Sequence, residues 1–258
     1  MTRPETTRGS TRTGHRPATH DRRAALRPRL PALAAVLLAL TLVASHALAR
    51  DVQDVLSDLE ASAAGIVDVS FVLEGVLIDE AGQNIRVEVE VLAIPGIPAA
   101  GLYILRPDAI ADNQIVIDGD VVRSYTFITN QVALFDIDDP DAFGGLIEAD
   151  VDGDLPIDLD LAAVFEGWDA TIIGDEETPR GTALVLRFDN LDPDAAIDYV
   201  LATVVEATMD PWRLTFYRDG DEIFADLTFR DWQRDQGLTR EDVTYLPDDA
   251  EVLDRRRD

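Results

Sequence analysis

Between residues 102 and 137, apolar positions fall into four short runs, 102–105, 114–117, 121–127 and 131–137. Runs of strand length bounded by turn residues predict an antiparallel meander. Arg106-Pro107 stops the first run, because proline has no N–H for a sheet ladder. Asp118-Gly119 suits a two-residue hairpin turn, and Thr129-Asn130 tolerates another tight turn.

The pattern on either side extends this picture. In residues 51–64, Val52, Val55, Leu56, Leu59 and Ala63 recur at three- and four-residue spacing, which predicts a short amphipathic helix ended by Gly65. Period-two alternation follows: Val67, Val69, Phe71 and Leu73, then Ile85, Val87, Val89 and Val91, with polar residues between them. Such alternation gives a strand one dry face and one wet face. After an acidic stretch at 138–154, Pro156 is well placed to open a second helix over 156–166, with Leu161, Val164 and Phe165 on its apolar side. Residues 182–188, 199–207, 212–217 and 222–230 read as strands, with Asp219-Gly220 as another hairpin turn. Val243 to Tyr245 reads as a last short strand. The expectation is a mainly β (α+β) chain of about ten or eleven antiparallel strands and two helices.

Residues 1–49 read differently. Eight Arg and two acids precede an apolar run from Leu30 to Ala44, and Ala47-Leu48-Ala49 is a small-x-small site. This predicts a signal peptide cleaved after Ala49, and therefore a periplasmic or otherwise exported protein. A membrane anchor is the competing reading, but the run falls short of the roughly 20 residues that span a bilayer. Arg22-Arg23 with Leu26 leaves export by the general or the twin-arginine route open. The remainder, 50–258, shows no linker and no repeat and is read as a single domain.

Composition then removes whole classes of chemistry. Beyond residue 49 there is no Cys, Lys or His, and fourteen Arg stand against forty-eight Asp and Glu, a balance of −34. Without Cys there is no disulfide, no thiolate site and no lipid-anchor cysteine. Without His or Lys, the usual nucleophilic triads and Schiff-base chemistry are unavailable. The acidity disfavours nucleic acid and anionic membrane surfaces. Asp150, Asp152 and Asp154 invite comparison with a calcium loop. The loop pattern, however, needs Gly and an acid where Leu155 and Leu161 stand, so an acidic turn is the better reading. No cofactor and no catalytic activity are expected.

A sheet of this many twisted strands curls towards a barrel or splits into a sandwich. Its apolar faces either line a cavity for an apolar ligand or pack together as a filled core; spacing alone leaves both open.

The order of short motifs adds to this. Arg106-Pro107, then 115–119 ending in Asp-Gly, then 121–125 ending in Tyr125, then Asn130-Gln131-Val132 resembles the LolA family of periplasmic lipoprotein carriers. Pro211 to Leu214, Asp219-Gly220 and Val243 to Pro247 resemble its closing strands. The resemblance implies an incomplete antiparallel β-barrel lidded by short helices, without catalytic activity. It also implies a monomer that carries acylated lipoprotein between an inner-membrane lipoprotein-releasing ABC transporter and an outer-membrane acceptor.

Under this reading Arg106 matches the family's lid-latching arginine. Alternation places it on the face of Leu102 and Ile104. The expected ligand cavity comprises Phe71, Leu73, Val87, Val89, Leu102, Ile104, Leu134, Leu214, Phe216 and Phe229, with Val55, Leu59, Leu161 and Phe165 on the lid. Carriage of a lipid other than lipoprotein reads the same way. The alternatives are an envelope lipid-sensing or protein-interaction domain of this fold with a filled core, and a hydrolase built on Asp clusters.

Overall fold

A computed structural model describes residues 50–79, 81–139, 142 and 160–256. Twelve strands form one open sheet: β1 Val69–Ile78, β2 Asn84–Ile94, β3 Ala99–Arg106, β4 Gln114–Asp118, β5 Val121–Thr126, β6 Gln131–Asp136, β7 Asp169–Thr178, β8 Gly181–Asp189, β9 Tyr199–Val205, β10 Asp210–Arg218, β11 Glu222–Arg234 and β12 Glu251–Asp254. Their order is β12-β6-β5-β4-β3-β2-β1-β11-β10-β9-β8-β7. Two antiparallel meanders, β1–β6 and β7–β11, are thus joined along the β1–β11 pair, and β7 and β12 are left as free edges. Asp175, Glu176 and Glu177 on the β7 edge oppose pairing with another chain. The fold is mainly β, an incomplete barrel with few short helices, as expected.

Residues paired across neighbouring strands point to the same side, so the register sorts side chains into two faces. Phe71, Leu73 and Gly75 lie opposite Val91, Val89 and Val87, and Leu73 lies opposite Phe229. Leu102 and Ile104 continue this inner face on β3. On the far side of β11 it runs through Leu214, Phe216, Ala202, Val200, Leu186 and Phe188. The outer face is polar in its central strands, with Glu74, Glu88, Arg213, Asp226 and Arg230.

Helix α1, Val52–Ala64, begins where the Asp51 carboxylate accepts the Gln53 N–H at 3.0 Å. Its Val55 and Leu59, one turn apart, are both buried. Helix α2, Leu161–Val164, is capped by Asp160, whose side chain accepts the Ala162 N–H. The expected start of this helix at Pro156 lies outside the described residues.

Three sequence-level expectations are corrected. Residues 169–178 form a full ten-residue strand absent from the strands expected above, because much of that edge strand is acidic. Val243 ends a helix, α3 Arg240–Val243, rather than opening a strand. Thr239 and Asp242 cap that helix reciprocally, side chain to backbone in both directions, which fixes the first turn. The last strand is β12, eight residues beyond Val243, and it pairs with β6 in parallel.

Candidate functional site

The inner face carries two apolar clusters that meet at Leu214. In one, Val55 and Leu59 of α1, with Leu161 and Phe165, pack on Leu184, Leu186, Phe188, Val200, Ala202 and Val204. Phe165 stacks on Phe188 with ring centroids 4.6 Å apart. All four lid positions read from the sequence therefore lie together, over β8 and β9. None of the six strand residues beneath them was singled out in the sequence. Their strands alternate less cleanly, because apolar residues such as Val185 and Val205 also sit on the outer face.

The second cluster contains five of the ten expected cavity residues. Phe71 and Phe229 are buried, with Leu73, Val91, Leu102 and Leu214 part-buried against them. Trp232 stacks on Phe71 at 5.0 Å between centroids and meets Phe229 edge-on. Ile104 is buried; Val87 and Val89 share the face but remain part-exposed. Phe216 belongs to the other cluster, beside Leu214.

Leu134 is a correction. It lies opposite Arg123 on the outer face, and its neighbour Phe135, opposite Val122, points inwards. The turn between β5 and β6, a 3-10 turn at Phe127–Thr129 closed by a left-handed Asn130, sets that register.

Arg106 is the other correction. The β2–β3 register slips between Glu88 and Val89, so Ile104 faces Val89 but Arg106 faces Glu88. The bulge at Leu105 turns Arg106 to the outer face, away from Leu102 and Ile104. Its side chain is 53% exposed, with Nε 3.4 Å from Glu88 and Nη1 3.6 Å from Asp108.

Arg234 makes the contact with α1 instead. At the end of β11 its Nη1 and Nη2 donate to Ser62 Oγ on α1, both at 3.1 Å. Ser62 in turn donates to the Thr208 carbonyl at 2.9 Å. Arg234 and Arg180 both pair with Asp210, which is nearly buried, and Thr208 Oγ1 donates to the same carboxylate at 2.8 Å. Burial draws the Arg180 guanidinium below its ordinary value, with Asp210 opposing. A buried carboxylate held by two guanidiniums is a stable anchor only while both remain. One serine of the helix is tied to that anchor. No sequence signal marked Arg234: a bulge at Asp231, in the left-handed region, shifts the strand's alternation just before it.

Asp150, Asp152 and Asp154 lie outside the described residues. Among the described residues no group of three or more His, Cys, Asp or Glu could hold a metal ion. No helix among them is long and apolar enough to cross a membrane.

No protein-family model matches the sequence, and no curated protein matches it. Solved structures do. An uncharacterized conserved protein from Thermus thermophilus is 19% identical, with 80% of this chain and 100% of that chain covered, at a TM-score of 0.57. The Pseudomonas aeruginosa MucA/MucB complex matches at 16% identity over 79% of this chain and 64% of that chain, TM-score 0.48. A LolA superfamily protein from Nitrosomonas europaea matches at 13% identity over 76% of this chain and 99% of that chain, TM-score 0.36. The fold is shared with the Thermus thermophilus protein. At these identities the likeness concerns the fold alone.

Proposed function

We propose that this protein is a non-catalytic periplasmic carrier that takes the acyl chains of a lipoprotein, or another lipid, onto the apolar inner face of its LolA-like sheet. In this reading residues 1–49 are a cleaved export signal and 50–258 form one carrier domain. The observation that carries it is the unequal cover of the inner face. Helices seal the β8–β9 side, while Leu73, Val87, Val89 and Leu102 stay part-exposed on the other.

An apolar ligand laid on that side gains about 0.8 kcal/mol per CH₂ removed from water. A long acyl chain thus contributes roughly 10 kcal/mol, and the carrier must later reverse that. A helix tethered through polar contacts at Ser62 gives the release step something to act on. Arg234 takes the latch role in place of Arg106. The resemblance adds the exchange partners, an inner-membrane lipoprotein-releasing transporter and an outer-membrane acceptor.

Native mass spectrometry of the protein with a tri-acylated lipopeptide tests this. One lipopeptide bound per chain is expected, with retention altered in Arg234→Leu and unaltered in Arg106→Leu. Absence of binding in every variant would sink the carrier reading and leave an interaction domain with a filled core.

A further inference from the structure

The outer face of the central strands holds a groove of about 690 Å³, walled by β1, β2, β3, β10 and β11. Its chemistry differs from the rest of the surface. Four of the fourteen arginines beyond residue 49 line it, Arg86, Arg106, Arg213 and Arg230, against three carboxylates, Glu74, Glu88 and Asp226.

The carboxylates are already engaged. Arg230 reaches Glu74 through Nε at 2.7 Å and Glu88 through Nη2 at 2.9 Å. Arg106 also meets Glu88, and Arg213 grips Asp226 through Nε and Nη2. These pairs hold guanidiniums from three strands in set orientations and leave N–H donors over. Arg86, on β2 opposite Val76, is exposed and has no ion pair among the described residues. Asp108 also lies 3.6 Å from Arg106, so the groove is close to neutral within a chain of strongly negative balance, with Arg86 as its guanidinium lacking an ion pair among the described residues. Thr228 adds a hydroxyl and Trp212 an aromatic wall.

We propose that this groove binds a phosphate-bearing small molecule. Planar guanidinium forks match phosphate oxygens in pairs, and oriented forks lose little freedom on binding. The volume lies within the range of small-ligand sites. At physiological salt, charges beyond about 8 Å are screened, so the distant acids weigh little on the groove. Its charged side chains lie on the opposite face from the apolar inner surface, while Gly75 and Val87 of the inner face also line it.

Two sources of phosphate share this chemistry, a soluble phosphate compound and a phospholipid head group. Calorimetric titration of the full chain with pyrophosphate, and with dihexanoyl phosphatidic acid below its micelle-forming concentration, separates them. Saturable one-site binding of pyrophosphate supports a soluble ligand. Binding of the short-chain lipid alone supports a head group. In either case Arg86→Ala weakens binding about ten-fold, the loss of a charge-assisted hydrogen bond. Arg187→Ala, on β8 and paired with Asp189, leaves it unchanged. Arg86 makes no ion pair among the described residues, so its variant carries the test, with an unchanged melting temperature as control. Failure of both probes, or binding indifferent to Arg86→Ala, overturns the proposal.

Discussion

Over β8 and β9 the inner face is shut. Phe188 and Leu186 are fully buried beneath Phe165, Leu161, Leu59 and Val55. Over β2 and β3 the same kind of surface, valine and leucine on alternating strands, stays part-exposed, and Ile85 is 36% exposed. That meander has a helix as well, but on its other side. Val243 of α3 packs outside, against Ile94 and Ala99. Gly101 makes room for it, since a Cβ there would stand 2.4 Å from the Val243 carbonyl oxygen. Two meanders of similar sequence character thus receive their helices on opposite faces. Apolar periodicity therefore specifies a dry face but not what covers it.

The sharpest way to break this comparison is to truncate one residue on each side. Phe188→Ala removes a fully buried ring stacked on Phe165 and is expected to cost about 3–5 kcal/mol of stability. Leu73→Ala, part-buried on the exposed side, is expected to cost about 1 kcal/mol. Urea denaturation of both variants measures the difference. Equal losses would mean that the β2–β3 side is packed as tightly as the other, and the contrast would collapse.

A smaller effect is expected where the covered side is fastened. Arg234→Leu leaves Asp210 with Arg180 and releases Ser62. Breaking a fully buried ion pair costs about 3–5 kcal/mol. The Arg234 side chain is 25% exposed, so water softens the loss to about 1–3 kcal/mol. Hydrogen exchange locates it. Amides in α1 should lose protection while those of β8 and β9 keep theirs. If α1 keeps its protection, Val55 and Leu59 hold the helix unaided, and the polar tie is dispensable.

Much of this fold was legible in the sequence, and the gaps share a cause. The helix at 51–64, the meander and the Asp-Gly turns followed from spacing and turn chemistry. Counting by twos also put Phe71, Leu73, Val89 and Leu102 on one face. Counting fails where a strand carries an extra residue. The bulge at Leu105 moved Arg106 outside, and the one at Asp231 placed Trp232 beside Phe71. Leu134 went to the wrong face because its run had to be phased from turns at both ends. Edge strand β7 escaped notice because acids that protect an edge also hide its periodicity. The fastening of α1 was out of reach, since Ser62, Thr208, Asp210 and Arg234 come from separate segments.

The smallest expected effect concerns α3, the helix on the outer side. The Asp242 carboxylate accepts from Thr239 Oγ1 at 2.6 Å and from the Thr239 N–H at 2.8 Å. These hydrogen bonds, side chain first and backbone second, hold its carboxyl below the ordinary value of 3.8. A depressed carboxyl stabilises the fold above its unfolded-state value, and that contribution fades as pH falls through the folded one. Wild type should therefore melt slightly higher than Asp242→Ala at pH 6, and the gap should close as the pH drops below 3.8. A gap that persists to the most acid conditions would mean that the charged cap does not hold α3. The outer helix would then rest on Val243 against Ile94 and Ala99 and on the Arg240–Asp118 ion pair. Asp242 is fully exposed, so the shift will be slight. Its disappearance with acid distinguishes a capping carboxylate from general loss of helix propensity, which alanine would improve.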